Sequence, residues 1–207
     1  MFILVTGGSA SGKSEYAEGR AVALNREEGG NLLYLAAMMP FGEDARMRIE
    51  RHRKLRAGKG FETIERYTDI YGLCCGDSAE SKLFREKAAG GIVLLECMSN
   101  LTANEIFAEP EGEGNSADAD RTQKAAVVTD SILKGIRALK ALAANLVIVT
   151  IDVFGDGHRY DPETEMYRQC LGILNREMAI LADEVVEVVY GIPLIHKQAE
   201  EVQGCSH

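Results

Sequence analysis

Eight consecutive residues, Gly7, Gly8, Ser9, Ala10, Ser11, Gly12, Lys13 and Ser14, carry the most specific chemistry in the chain. They set two glycines, a lysine and a hydroxyl at the spacing of a phosphate-binding loop. The glycines let the backbone wrap closely around anionic oxygens, so that successive N–H groups and the start of the next helix converge on them. Lys13 then reaches the β- and γ-phosphates, and the Ser14 hydroxyl is placed to ligate a Mg2+ ion bridging them. An apolar run before the loop and a helical pattern after it supply the context this mechanism needs. The expected ligand is a nucleoside triphosphate, ATP or GTP.

Carboxylates that complete such a site come from the ends of neighbouring parallel strands, where open α/β sheets place their ligands. Glu96 ends the apolar run Ile92 to Leu95, and Asp152 follows the run Leu146 to Thr150. Either can hold the metal through water. Glu96 can instead accept hydrogen bonds from a purine edge, because a carboxylate pairs well with adjacent N–H donors. The sequence leaves these two roles open.

The stretch Asp44 to Arg56 is strongly basic inside an acidic chain. At the helical period Arg48, His52 and Arg56 fall on the same side as Ala45, Ile49 and Leu55. A face that packs through aliphatic side chains while presenting His and Arg suits an anionic ligand, with Arg48, Arg51 and Arg56 as phosphate contacts. Neutral imidazole is a good nucleophile toward phosphorus, and nearby cations favour its neutral form. His52 is thus a candidate nucleophile or a phosphate contact.

These residues need a scaffold. Short apolar, β-branched runs alternate with longer helical patterns, which predicts an α/β fold with a mostly parallel sheet and helices on both faces. Expected strands are Phe2 to Thr6, Asn31 to Ala36, Gly91 to Glu96, Asn145 to Thr150 and Glu184 to Tyr190. Expected helices are Gly12 to Glu27, one carrying Ala125 to Ala143, and one burying Met166, Cys170, Ile173 or Leu174, and Leu181. With the phosphate loop, the fold class is that of a P-loop NTPase of RecA-like type. One nucleotide-binding domain over 1 to 197 is expected, with an acidic surface loop at 109 to 121 and a flexible tail at 198 to 207.

A net charge of −9 over 207 residues argues against a general nucleic-acid or anionic-membrane binder. No apolar stretch is long enough to span a bilayer, so the expected location is cytoplasmic. The five cysteines make no CxxC pair and no zinc-ligand spacing, and are read as reduced thiols. His158 is expected in an exposed turn and His196 on the surface.

Taken together, the opening FILVTGGSASGKS, the strand YLA, the RIERH string from Arg48 to His52, the LLEC run from Leu94 to Cys97, and a C-terminal stretch with Gly172, Asn175 and ADEVVEVVYGIP carry a resemblance. From Met1 to about Lys197 the chain resembles the bifunctional adenosylcobinamide kinase and adenosylcobinamide-phosphate guanylyltransferase family of cobalamin biosynthesis. The resemblance implies one nucleotide site used for two reactions. In one, a γ-phosphoryl group of ATP or GTP passes to the hydroxyl of the corrinoid's aminopropanol arm. In the other, His52 attacks the α-phosphorus of GTP, expels pyrophosphate and carries GMP to adenosylcobinamide phosphate, giving adenosyl-GDP-cobinamide. It further implies that Glu96 reads guanine, and that the chain assembles as a homo-oligomer, a trimer with sites between subunits.

The chain departs from the family pattern at several points. Ala10 stands where the family often has Arg, Ile151 and Asp152 replace Asn-Glu, and Tyr167-Arg168-Gln169 and Asn175-Arg176 replace Phe-Arg-Asp and Asn-Gln. Two other readings are compatible with the loop alone: a P-loop kinase for another small alcohol, and a GTP-binding regulatory module. The latter ordinarily reads guanine through an Asn-Lys-x-Asp string, which this sequence lacks.

Overall fold

The computed structural model describes residues 1–107, 118–153 and 160–198. Strands β1 (Phe2–Thr6), β2 (Leu32–Ala36), β3 (Glu62–Glu65), β4 (Ile92–Glu96), β5 (Asn145–Val149), β6 (Glu184–Val189) and β7 (Ile192–Lys197) form one seven-stranded sheet. Its order is β3-β2-β4-β5-β1-β6-β7. All neighbours pair in parallel except β6 and β7.

Apolar residues on both strand faces demand cover on both sides, and the side-chain period of two divides them cleanly. Phe2, Leu4, Leu33, Leu35, Val93, Leu95, Leu146 and Ile148 face one core, with residues from α3 (Ile70–Cys75), α4 (Ala79–Ala88), α5 (Met98–Phe107), α6 (Asp118–Leu142) and α7 (Pro162–Leu181). Ile3, Val5, Leu32, Tyr34, Ile92, Leu94, Val147 and Val149 face the other, against Ala17, Ala21 and Leu24 of α1 (Lys13–Glu28). The remaining helix, α2 (Gly42–Arg56), buries only Arg56.

The five expected strands and four expected helices are all present, with ends displaced by a few residues. Of Ile173 and Leu174, it is Leu174 that lies in the core. Two strands and three helices were not read from the sequence. The loop expected at 109 to 121 is corrected at its C-terminal end, because α6 already begins at Asp118. The rest of that loop, His158 and the residues from 199 onward lie outside the described residues.

The sheet closes with a tight hairpin. Tyr190 and Gly191, at φ 51° and 79°, join β6 to β7 in a two-residue turn with both central residues left-handed, the geometry whose twist matches paired strands. The Gly191 N–H donates to Ser11 O at 2.8 Å, so this turn buttresses the glycine loop.

Candidate active site

The parallel strands all deliver their carboxyl ends to one edge of the sheet, and the glycine loop leaves β1 there. Gly7 has φ 148°, and a Cβ at this position would lie 2.5 Å from Val188 O. Only glycine lets β6 run this close to the loop. Gly12 caps α1 at φ 93°, where a Cβ would meet Gly191 Cα at 3.2 Å. Ala10 also adopts a positive φ, 58°. The Lys13 ammonium donates to Gly8 O at 2.9 Å, closing the loop on itself. Burial pushes the Lys13 pKa down from the usual lysine range, opposed by Cys97 and Glu96.

Glu96 is the residue on which the site converges. Its strand, β4, lies between β2 and β5, so its carboxylate projects beside the loop. Ser14 Oγ donates to its Oε1, and the Tyr34 hydroxyl donates to its Oε2 at 2.9 Å. Burial, followed by the neighbouring Glu96 charge, holds the Tyr34 phenol far above its ordinary pKa, so it is a fixed donor. The Glu96–Cys97 peptide bond is cis. The Cys97 thiol, raised by burial, meets Ser99 Oγ at 2.9 Å and accepts from Asn100 Nδ2 at 3.2 Å.

Helix α2 brings its basic stretch over this edge. His52 Nδ1 lies 3.6 Å from Glu96 Oε1, with the imidazole 23% exposed. The Arg56 guanidinium stacks 3.4 Å above the Tyr34 ring centroid. Phe61 meets the same ring edge-on, at 6.1 Å between centroids. Arg53 pairs with Glu65 at 2.9 Å. The wheel is thereby corrected: Ala45, Ile49, His52 and Arg56 turn inward, whereas Arg48, Arg51 and Leu55 are exposed. A helix docked by only one edge presents a narrower stripe than the sequence pattern implies.

Asp152 is exposed just beyond β5. The backbone there is tied to α7 through Asn175, which accepts from Thr150 Oγ1 at 2.6 Å and donates to Ile151 O at 3.1 Å. Two further side chains, Tyr34 and Glu18, belong to the site and went unread in the sequence. Tyr34 is the aromatic of the YLA strand, and its hydroxyl had no legible partner. Glu18 is completely buried beneath α2, held by Lys59 Nζ at 2.6 Å. One ligating atom each from Glu18, His52 and Glu96 lies within 4.8 Å of the other two. The position of Glu18 three residues before Ala21, on the stripe of Ala17, Ala21 and Leu24, was the signal that could have found it.

The arrangement combines a phosphate cradle, a hydroxyl and carboxylate oxygens suited to a hard divalent cation, and an imidazole facing the same carboxylate. A family model described as cobinamide kinase / cobinamide phosphate guanyltransferase matches residues 3–195. The chain belongs to that family. It is 30% identical over 195 residues to the bifunctional adenosylcobalamin biosynthesis protein CobU of Escherichia coli strain K12, covering 93% of this chain and 97% of the relative. The CobU of Salmonella typhimurium strain LT2 matches with the same identity and coverage. The family's activity, cobinamide kinase and cobinamide phosphate guanylyltransferase in cobalamin biosynthesis, is the activity of this chain. A solved ATPase domain of G40P shares the fold at a TM-score of 0.51 and 11% identity, covering 96% of this chain and 77% of that domain. The fold is thus the α/β, RecA-like P-loop type expected from the sequence. No helix among the described residues is long and apolar enough to cross a membrane.

Proposed function

We propose that both reactions use the single site at the carboxyl edge of the sheet, with residues 1–197 working as one domain. The observation that carries this reading is that Ser14 of the phosphate loop and His52 of α2 both meet the same carboxylate, Glu96. In the kinase step the loop N–H groups and Lys13 hold the triphosphate. The corrinoid hydroxyl attacks the γ-phosphorus, and Lys13 neutralises charge on the leaving phosphates. Ser14, with Asp152 approaching through water, would hold Mg2+, which supplies charge neutralisation between the phosphates. The hydroxyl and carboxylate donors beside the loop fit that ion.

In the guanylyl step the Nε2 lone pair of His52 attacks the α-phosphorus of GTP. The P–N bond forms as the bond to the β-phosphate oxygen breaks, and pyrophosphate leaves with the electron pair. A phosphate oxygen of adenosylcobinamide phosphate then takes the GMP, returning the pair to Nε2. Glu96 accepts from the guanine edge during this step. Arg48 and Arg51, exposed on α2, are free to swing onto phosphate oxygens, while Arg56 acts from its stacked position on Tyr34.

The hairpin supplies the natural oligomer surface. Tyr190, Ile192, Leu194 and Ile195 are all exposed along β7 and its turn, and an uncovered apolar edge strand is a template for pairing. A trimer joined there fits the reading, as does a cytoplasmic location for a corrinoid-modifying enzyme. Incubation of the protein with adenosylcobinamide and γ-labelled ATP or GTP should give labelled cobinamide phosphate, and α-labelled GTP should label the second product. Transfer of γ-label without α-label would reduce the reading to a kinase alone.

A further inference from the structure

Glu18 has no place in the roles above, yet it is the most deeply buried charged side chain at the site. It is fully enclosed, and only Oε2 is satisfied, by Lys59. Its Oε1 is buried and has no hydrogen-bond partner among the described residues. His52 Nδ1 is likewise buried and makes no hydrogen bond among the described residues, although Glu96 Oε1 lies 3.6 Å away, so the exposed part of the imidazole is left to the rest of the ring. Both residues belong to one cluster: a carboxylate oxygen of Glu18, a ring nitrogen of His52 and a carboxylate oxygen of Glu96 lie mutually within 4.8 Å. Buried polar groups of complementary type this close are incomplete until they pair.

We infer that Glu18 is a positioning residue for guanylyl transfer: together with Glu96 it accepts the Nδ1 proton of His52 and so holds Nε2 unprotonated toward the α-phosphorus. The inference rests on His52 being the nucleophile. A hydrogen bond at one ring nitrogen fixes the tautomer at the other, and so determines which nitrogen can react. When Nε2 bonds to phosphorus the ring becomes cationic while Nδ1 keeps its proton. A carboxylate held beside the ring stabilises that charge as it develops. Lys59 serves this arrangement from the other side. It occupies Oε2, opposes the burial that raises the Glu18 pKa, and leaves Oε1 to the ring. The kinase reaction needs none of this, because no charge forms on imidazole.

The test compares wild type, Glu18→Gln, Glu18→Asp and Lys59→Met for the single-turnover rate of GMP adduct formation, for γ-phosphoryl transfer to adenosylcobinamide, and for the ¹⁵N spectrum of His52. Glu18→Gln is expected to slow adduct formation by more than about 10-fold, with the roughly 10⁴-fold loss seen when a tautomer-fixing carboxylate is neutralised in a catalytic triad as the upper bound. It should leave γ-transfer within about threefold and move the His52 nitrogen shifts away from a pure Nδ1–H tautomer. Glu18→Asp should recover part of the adduct rate, and Lys59→Met should fall between wild type and Glu18→Gln. Equal loss of both reactions in Glu18→Gln, or an unchanged His52 spectrum, would reduce Glu18 to a structural role and overturn the inference. So would a stoichiometric divalent metal in the wild type that Glu18→Gln loses. If the wild type itself forms no adduct, the nucleophile reading fails instead, and the two failures are distinguishable.

Discussion

The Tyr34 hydroxyl donates to Glu96 Oε2 across the neighbouring strands β2 and β4, at 2.9 Å. With Oε1 taking the Ser14 hydroxyl, both oxygens of the carboxylate are oriented by the protein before any nucleotide arrives. Tyr34→Phe keeps the ring under Arg56 and removes only the donor. A buried carboxylate oxygen left unsatisfied costs about 1–3 kcal/mol. The denaturant midpoint should fall accordingly, and on the proposal that Glu96 reads guanine, GMP transfer from GTP should slow as well. Unchanged stability would mean that the bond contributes nothing net.

Gly7→Ala tests the packing of the phosphate loop against β6. The added Cβ would lie 2.5 Å from Val188 O, a backbone atom that cannot rotate away. Overpacking of this kind costs about 1–3 kcal/mol. The variant should lose stability by that amount in urea unfolding and also bind triphosphate at least tenfold more weakly, since the loop must move. Full affinity with lowered stability would separate the loop's shape from its contact with β6.

The thiols give a pH test of burial. Cys74 is buried and its pKa is pushed up to about 12, whereas Cys75 is exposed. A raised thiol pKa means the reactive thiolate is scarce at pH 8 and increases about tenfold per pH unit up to that value. Peptide mapping after brief alkylation at pH 8 should find Cys75 modified and Cys74 untouched. Comparable labelling of the two would contradict the packing of α3 against the core.

The hairpin predicts an assembly. Replacing exposed Ile192 and Ile195 on β7 by Lys removes the apolar edge without touching the buried core. Sedimentation should show a larger particle for wild type and a smaller one for the double variant, because charged edge strands resist pairing. If wild type already sediments as a monomer, the edge is not an interface.

Much of this site was legible because each of its strongest signals is local. The loop Gly7 to Ser14 is contiguous, and Glu96 ends an unbroken apolar run that marks a central strand. What escaped was set by tertiary contact. The β3 residues Glu62–Glu65 are mostly exposed and too few for a pattern, and β7 carries Pro193, acceptable only because it sits at an edge. Its turn uses Tyr190 at a positive φ, which no turn rule assigns to tyrosine. Helix α4 did carry a usable signal in Ser78, which caps it through Ser81 N. Glu18 lies on the inward stripe of α1 with Ala17 and Ala21, but that stripe is made of small residues and gives a weak hydrophobic signal, so its burial is decided by α2 and Lys59.

The central claim is that the imidazole above Glu96 carries GMP, and it is tested most directly by mass spectrometry of the protein after incubation with GTP and Mg2+. The account predicts one added GMP on the wild type, acid-labile as a P–N bond should be, mapped to His52 and absent from His52→Asn. An adduct that persists in His52→Asn, or none on wild type under conditions where γ-phosphoryl transfer proceeds, would contradict it.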